Sequence, residues 1–193
     1  MKMMKKTLPL LLCTLTMLCS CNGNKTSNVD NVESEDSVFM LDGPGSVYEP
    51  TEDEVGEYAL EQVKAVYEAV SDAYSSEDWM AKSSELDKKF CSQDWNATVA
   101  AVLEKDKGTD DIGFFEADYW VMGQDFDAEN LHASDFVLKD IDISEKPWRA
   151  TVSLKLHNFS DIPVVVSLVY EAGEWKVDDL DQWKEDMKEY LAE

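Results

Sequence analysis

From Thr51 onward, apolar residues recur every three or four positions: Val55, Ala59, Val63, Val66, Val70 and Tyr74. That spacing predicts an amphipathic helix, and Thr51 with Glu54 three residues later forms a capping box at its start. Ser76 is placed to cap a second helix with Trp79, Ser83, Leu86 and Phe90 on one stripe. Ser92 is placed to cap a third, with Trp95, Val99, Val102 and Leu103 inward and Gly108 as its stop. After Gly108 the period changes to two. In "GFFEADYWVMGQDF" Phe115, Ala117, Tyr119 and Val121 alternate with Phe114, Glu116, Asp118, Trp120 and Met122, which predicts a strand. "DFVLKDIDI" and "WRATVSLKLHNF" continue the habit, the latter turning Val152, Leu154 and Leu156 one way. "PVVVSLVYEAGEWKVDDL" reads as a hairpin turning at Glu171-Ala172-Gly173-Glu174. A last helix, capped by Asp179 or Asp181, carries Trp183, Met187 and Leu191. Helices first and antiparallel strands afterwards predict an α+β fold: N-terminal helices on a curved antiparallel sheet, then a C-terminal helix.

The N-terminus follows another logic. Lys2, Lys5 and Lys6 precede an apolar run from Thr7 to Leu18. Twelve residues make about 18 Å of helix, against a bilayer core of about 30 Å, so the run reads as a cleavable signal and not a span. It ends Leu18-Cys19-Ser20-Cys21. This resembles the lipobox of bacterial lipoproteins, whose signal is cut before the cysteine that then carries the lipid. The resemblance implies residues 1–20 as signal peptide, Cys21 as the lipid attachment site, and a membrane partner reached through that lipid. It places the protein in the bacterial cell envelope. More than one acyl chain is needed for lasting attachment, which the lipoprotein modification supplies. Residues 21–50, rich in Asn, Ser, Gly and acids, are expected to be a flexible acidic tether, and residues 51–193 a single domain.

Cysteine and charge narrow the chemistry. Removing Cys13 and Cys19 with the signal and lipidating Cys21 leaves Cys91 alone, so the mature chain forms no intramolecular disulfide. Cys91 stands at a helix end and reads as a buried structural thiol. The net charge is −24, and loss of a signal holding three lysines and no acid makes it −27. Phosphate backbones need a basic face, so nucleic acid is excluded as a partner, whereas a basic protein or a cationic ligand is attracted. No cofactor and no metal are expected. "DFDAENLHASDF" opens like a calcium loop but has Asn130 where glycine is required and Phe136 where a bidentate Glu belongs. His132 and His157, the two histidines, stand in unrelated sequence contexts, which disfavours zinc. Neither a nucleophile elbow nor a phosphate loop is present.

The helices, "EADYWVMGQDFD" and the closing "GEWKVDDL" are similar to an uncharacterised bacterial lipoprotein family with a nuclear-transport-factor-2-like fold. Asp118, Gln124, Asp125, Trp175, Asp178 and Asp179 are the matching positions, over roughly residues 55–181. Tyr119 stands where that family more often has proline. The resemblance implies a half-open cone around a cavity. The candidate ligand pocket is therefore Asp118, Trp120, Gln124, Asp125 and Trp148, carboxylates set in an aromatic wall. In such a wall a desolvated carboxylate rises in pKa and can shuttle protons. The structural alternative is that Asp118 and Asp125 bond to backbone N–H groups and hold the fold. A non-catalytic binding module for a small ligand or an envelope protein is the expected function, with no catalytic residue assigned. Two alternatives stay open: a cone-fold enzyme using Asp118 or Asp125 as general base, and an acidic inhibitor of a basic partner.

Overall fold

The computed structural model describes residues 50–107 and 113–193, which belong to one compact unit. The signal, Cys21, the tether up to residue 49 and the Gly108 stop lie outside the described residues. Helix α1 (Glu52–Tyr74) begins at the expected capping box: Thr51 Oγ1 accepts the Glu54 N–H at 3.3 Å and Glu54 accepts the Thr51 N–H at 3.0 Å. All six residues of its stripe are buried.

Helix α2 (Trp79–Phe90) starts three residues beyond the expected cap. Ser76 Oγ instead donates to the Ala73 carbonyl at 2.9 Å, closing the end of α1. Helix α3 (Gln93–Asp106) is capped by Ser92, whose Oγ accepts the Trp95 N–H at 3.0 Å. Trp95 and Val102 are buried, but Leu103 is 51% exposed, so the inward stripe is narrower than its spacing implied.

Four strands follow as an antiparallel meander in the order β1-β2-β3-β4: His132–Asp142, Arg149–Asn158, Ser160–Glu171 and Glu174–Leu180. The inward parity of β2 is Ala150, Val152, Leu154, Leu156 and then Asn158, all buried. Val164, Val166 and Leu168 of β3 and Trp175, Val177 and Leu180 of β4 extend that core. Helix α1 packs on β1 and β2, and Gly56 allows the approach, since a Cβ there would lie 2.7 Å from Leu138 Cδ2. At the β4 edge of the sheet, Ser92 N–H bonds to the Val177 carbonyl at 2.8 Å, so the outer edge of β4 is occupied by the α2–α3 joint. Cys91 sits at that joint, buried. Desolvation first, then the charge of Asp87, pushes its thiol well above its ordinary pKa, as suits a structural thiol.

The β3–β4 turn has positive φ at both central residues, 53° at Ala172 and 90° at Gly173, the geometry that matches strand twist in two-residue hairpins. Alanine is a poor occupant of the left-handed region. Ala172→Asn is expected to raise the urea midpoint by the equivalent of about 0.5–1 kcal/mol, and an unchanged or lower midpoint would show the turn unstrained.

Helix α4 (Trp183–Ala192) is capped from β4: Asp179 Oδ1 accepts the Lys184 N–H at 2.9 Å. Lys184 is buried, and its ammonium meets Asp178 at 2.8 Å and Asp94 of α3 at 3.1 Å. Asp178 also accepts Ser92 Oγ–H at 2.7 Å and approaches Arg149 at 3.3 Å. This network binds α3, α4, β2 and β4 together.

One expected strand is absent. Residues 114–126 form turns, with Asp118 and Gly123 exchanging backbone hydrogen bonds at 2.9 and 3.2 Å around Met122 at φ 52°. Both parities of the segment carry large apolar side chains, and the structure buries side chains from both. Phe114 packs on Trp183 and Tyr190, Phe115 on Trp183 and Tyr119, and Trp120 and Val121 are both in the core. A ladder strand with one buried face cannot satisfy that pattern.

Candidate functional site

The segment from Phe114 to Phe126 sets polar groups against an aromatic wall beside an opening. Its anchor is Asn158, the polar end of the inward face of β2. Asn158 Nδ2 donates to the carbonyls of Val121 (2.8 Å) and Asp125 (3.0 Å), and its Oδ1 accepts the Asp127 N–H at 2.9 Å. Three backbone groups of an irregular segment are thereby satisfied by one side chain.

So held, the segment turns Asp118 toward the helices. Asp118 Oδ1 accepts the Trp120 N–H at 2.8 Å, and Oδ2 accepts a short hydrogen bond from the hydroxyl of Tyr74, the last residue of α1. Trp120 reaches in the other direction: its indole N–H donates to Asp87 Oδ1 of α2 at 2.9 Å, while the Tyr119 hydroxyl donates to Asp87 Oδ2. Two carboxylates and three aromatic donors form one lattice across α1, α2 and the turn segment. Phe126 packs edge-on against Tyr74 and Trp79, each at 5.0 Å between centroids, and Trp95 meets Tyr119 at 5.1 Å.

A cleft of about 350 Å³ opens beside this lattice. Asp118, Tyr74, Tyr119 and Trp120 lie on its polar side. Val99 and Leu103 of α3 and Phe115 make its apolar side, and Ser83 and Ser84 of α2 its rim. Burial raises the Asp118 carboxyl above its ordinary value, and the nearby Asp87 charge adds to this against the lowering effect of the Tyr74 and Trp120 bonds. Tyr74 and Tyr119 are pushed upward as well, by burial first and then by the carboxylates they face, so both are phenols and donors at neutral pH. The arrangement presents one partly buried, oriented carboxyl group in an aromatic wall.

Family models, characterised proteins and solved structures compared with the chain give no match. The site therefore rests on its own geometry.

Of the five pocket residues expected from sequence, the structure brings Asp118 and Trp120 together in the cleft. Gln124 and Asp125 are exposed on the far side of the turn and line none of it, although the Asp125 carbonyl is held by Asn158. Trp148 precedes the first residue of β2 and packs on Tyr170, whereas the segment bearing Asp118 is tied to the last residue of that strand. Nine residue steps at about 3.3 Å separate the two ends, roughly 30 Å. Asp87, Tyr74 and Tyr119 were not among the expected residues. Asp87 looks in sequence like one more charge on the solvated face of α2, and its partners lie more than thirty residues away.

The backbone-bonding alternative holds in part for Asp118, which does accept the Trp120 N–H. Asp178 and Asp179 serve the fold, through the Lys184 network and the cap of α4. His132 and His157, unrelated in sequence, are paired across β1 and β2 and stack at 4.2 Å. Their Nδ1 atoms are engaged by the Asn130 carbonyl and Asp161 respectively, each at 2.6 Å. Among the described residues no group of three His, Cys, Asp or Glu is arranged to hold a metal, and no helix is long and apolar enough to cross a membrane.

Proposed function

We propose that this chain is a lipid-anchored lipoprotein of the bacterial cell envelope, attached through Cys21, whose α+β domain is a non-catalytic module that binds a small ligand in the Asp118 cleft. The carrying observation is the cleft itself. Its volume falls in the range of small-molecule sites, about 300–1,000 Å³, and it combines apolar walls with a few convergent polar groups. Asp87 and Asp118 are already oriented by Tyr119, Trp120 and Tyr74, so the polar side is preorganised. Binding fits this lattice better than proton transfer, because both Asp118 oxygens face internal donors. Asp125, the other candidate base, stands outside the cleft. The anchoring half of the reading rests on the Leu18-Cys19-Ser20-Cys21 pattern behind a short apolar run.

The cleft is tested with prodan, a neutral naphthalene dye. Prodan is expected to bind the wild-type chain with blue-shifted emission, and Val99→Trp, which fills the α3 wall, is expected to abolish the shift. Absence of binding, or binding indifferent to Val99→Trp, would overturn the cleft as a ligand site. The anchor is tested separately. Cys21→Ala is expected to remove fatty-acid label and membrane retention in a bacterial host, and a variant that keeps the label would defeat the assignment of Cys21.

A further inference from the structure

We infer that the ligand of the Asp118 cleft is an organic cation, a compound presenting an ammonium group to the Asp118 carboxylate and the aromatic rings of the wall. The inference rests on the cleft reading above and goes on to name the chemical class.

Charge balance is the first ground. No lysine, arginine or histidine among the described residues lines the cleft. Among the described residues none forms an ion pair with Asp87 or Asp118. The contrast within the same domain is direct: the buried Asp178 is met by Lys184 and Arg149. Two partly buried carboxylates with only neutral donors retain their net negative charge, and a cation entering the cleft would supply the missing countercharge.

The second ground is the kind of wall. Phe115 and Tyr119, both partly exposed, border the cleft, with the buried Tyr74 and Trp120 behind them. Aromatic faces carry negative quadrupole potential and attract ammonium groups, by about 0.5–1 kcal/mol when exposed and about 2 kcal/mol or more when desolvated. A quaternary ammonium is weakly hydrated and can exchange water for aromatic rings. A hard metal ion needs several free oxygen ligands, and here the Asp118 oxygens are engaged by Tyr74 and Trp120 while Asp87 is engaged by Tyr119 and Trp120. An anionic ligand would meet the Asp118 carboxylate, with Asp87 behind it, and no compensating base among the described lining residues. The 41 acidic residues against 17 basic ones add a long-range field that favours cations.

The test uses the full chain and two probes of nearly equal shape, choline and its uncharged isostere 3,3-dimethylbutan-1-ol, followed by the NMR signal of the Trp120 indole N–H. Choline is expected to bind with a Kd roughly tenfold below that of the alcohol, the factor a desolvated cation–π contact plus one carboxylate supplies. Asp118→Asn is expected to remove most of that preference. Because Asp118 also supports the turn, the exposed rim residue Ser84 gives a second readout: choline should bind roughly tenfold more weakly to Ser84→Lys than to Ser84→Glu, while the alcohol binds both alike. Equal binding of choline and alcohol, with no split between the Ser84 variants, would overturn the cation inference and leave a neutral ligand cleft standing. If neither probe moves the Trp120 signal, the inference fails, and the prodan result then decides whether the cleft reading fails with it.

Discussion

Lys184→Met is expected to destabilise the domain by about 3 kcal/mol, the low end of what breaking a buried ion pair costs. The Lys184 side chain is 7% exposed and its ammonium holds Asp178 and Asp94 together, so its loss leaves the buried Asp178 carboxylate only Ser92 and the exposed Arg149 as partners. The effect has a pH signature. Burial opposes the Asp178 charge, but the bonds from Lys184 and Ser92 and the charges of Lys184 and Arg149 outweigh it and hold its pKa below the ordinary range. A carboxyl lower in the folded than in the unfolded state contributes its full stability above roughly pH 5 and loses it as pH falls through the folded value. Lys184 is the converse: burial opposes its charge, Asp178 and Asp94 more than restore it, and its folded pKa is raised. Its contribution is complete below roughly pH 9 and lost as pH climbs past the folded value. Urea midpoints for the wild type should therefore fall at both extremes, and the Lys184→Met difference should narrow there. A variant within about 0.5 kcal/mol of wild type at pH 7 would show that the network carries no net stability.

Asn158→Ala is expected to cost about 2–4 kcal/mol, because the Val121 and Asp125 carbonyls and the Asp127 N–H all lose a partner. The damage should be local first. Hydrogen exchange from Val121 to Asp127 should accelerate before the β2–β3 ladder responds, and the Trp120 indole signal should broaden as the cleft loses its back support. Asn158→Asp separates the contributions: it keeps an acceptor for Asp127 but loses both donations and buries a charge. It should be worse than alanine at pH 7 and recover as acid neutralises it. If exchange in the turn is unchanged in Asn158→Ala, Asn158 is not what positions Asp118.

What sequence made legible follows from how local the information is. Helix α1 declares itself through a capping box and six apolar residues at helical spacing, all within one element. Strand β2 and the Ala172-Gly173 hairpin do the same through parity and turn chemistry. The α+β class followed from these. Residues 114–126 misled because alternation was counted in a segment with large apolar side chains on both parities, and only the packing of Phe114 on α4 and Trp120 beneath α2 reveals that both sides contribute to the core. Asp118 and Trp120 stood out as an acid and an aromatic near one another in the chain. Asp87 did not, since a carboxylate on a lysine-rich helix face carries no local mark of a partner thirty-three residues later. Trp148 was grouped with them by residue type alone, and strand length puts it at the opposite end of the sheet. Asn158 could have been noticed as the one polar residue on the inward parity of β2.

The most direct measurement is the ionisation of Asp118 itself, followed by carboxyl ¹³C NMR across pH with and without choline. In the free chain the pKa should lie above the ordinary carboxylate value, because burial and Asp87 both disfavour the charge. Tyr74 of α1, Asp87 of α2 and Tyr119 of the same segment face the site, while α3 contributes only Val99 and Leu103 to it. A cation that binds the ionised form must pull that pKa down, and its affinity must weaken as pH drops through the free-chain value. A raised pKa that falls with added choline is the expected result. An ordinary pKa, or a raised one that choline leaves unmoved, would contradict the assignment of this cleft to a cationic ligand.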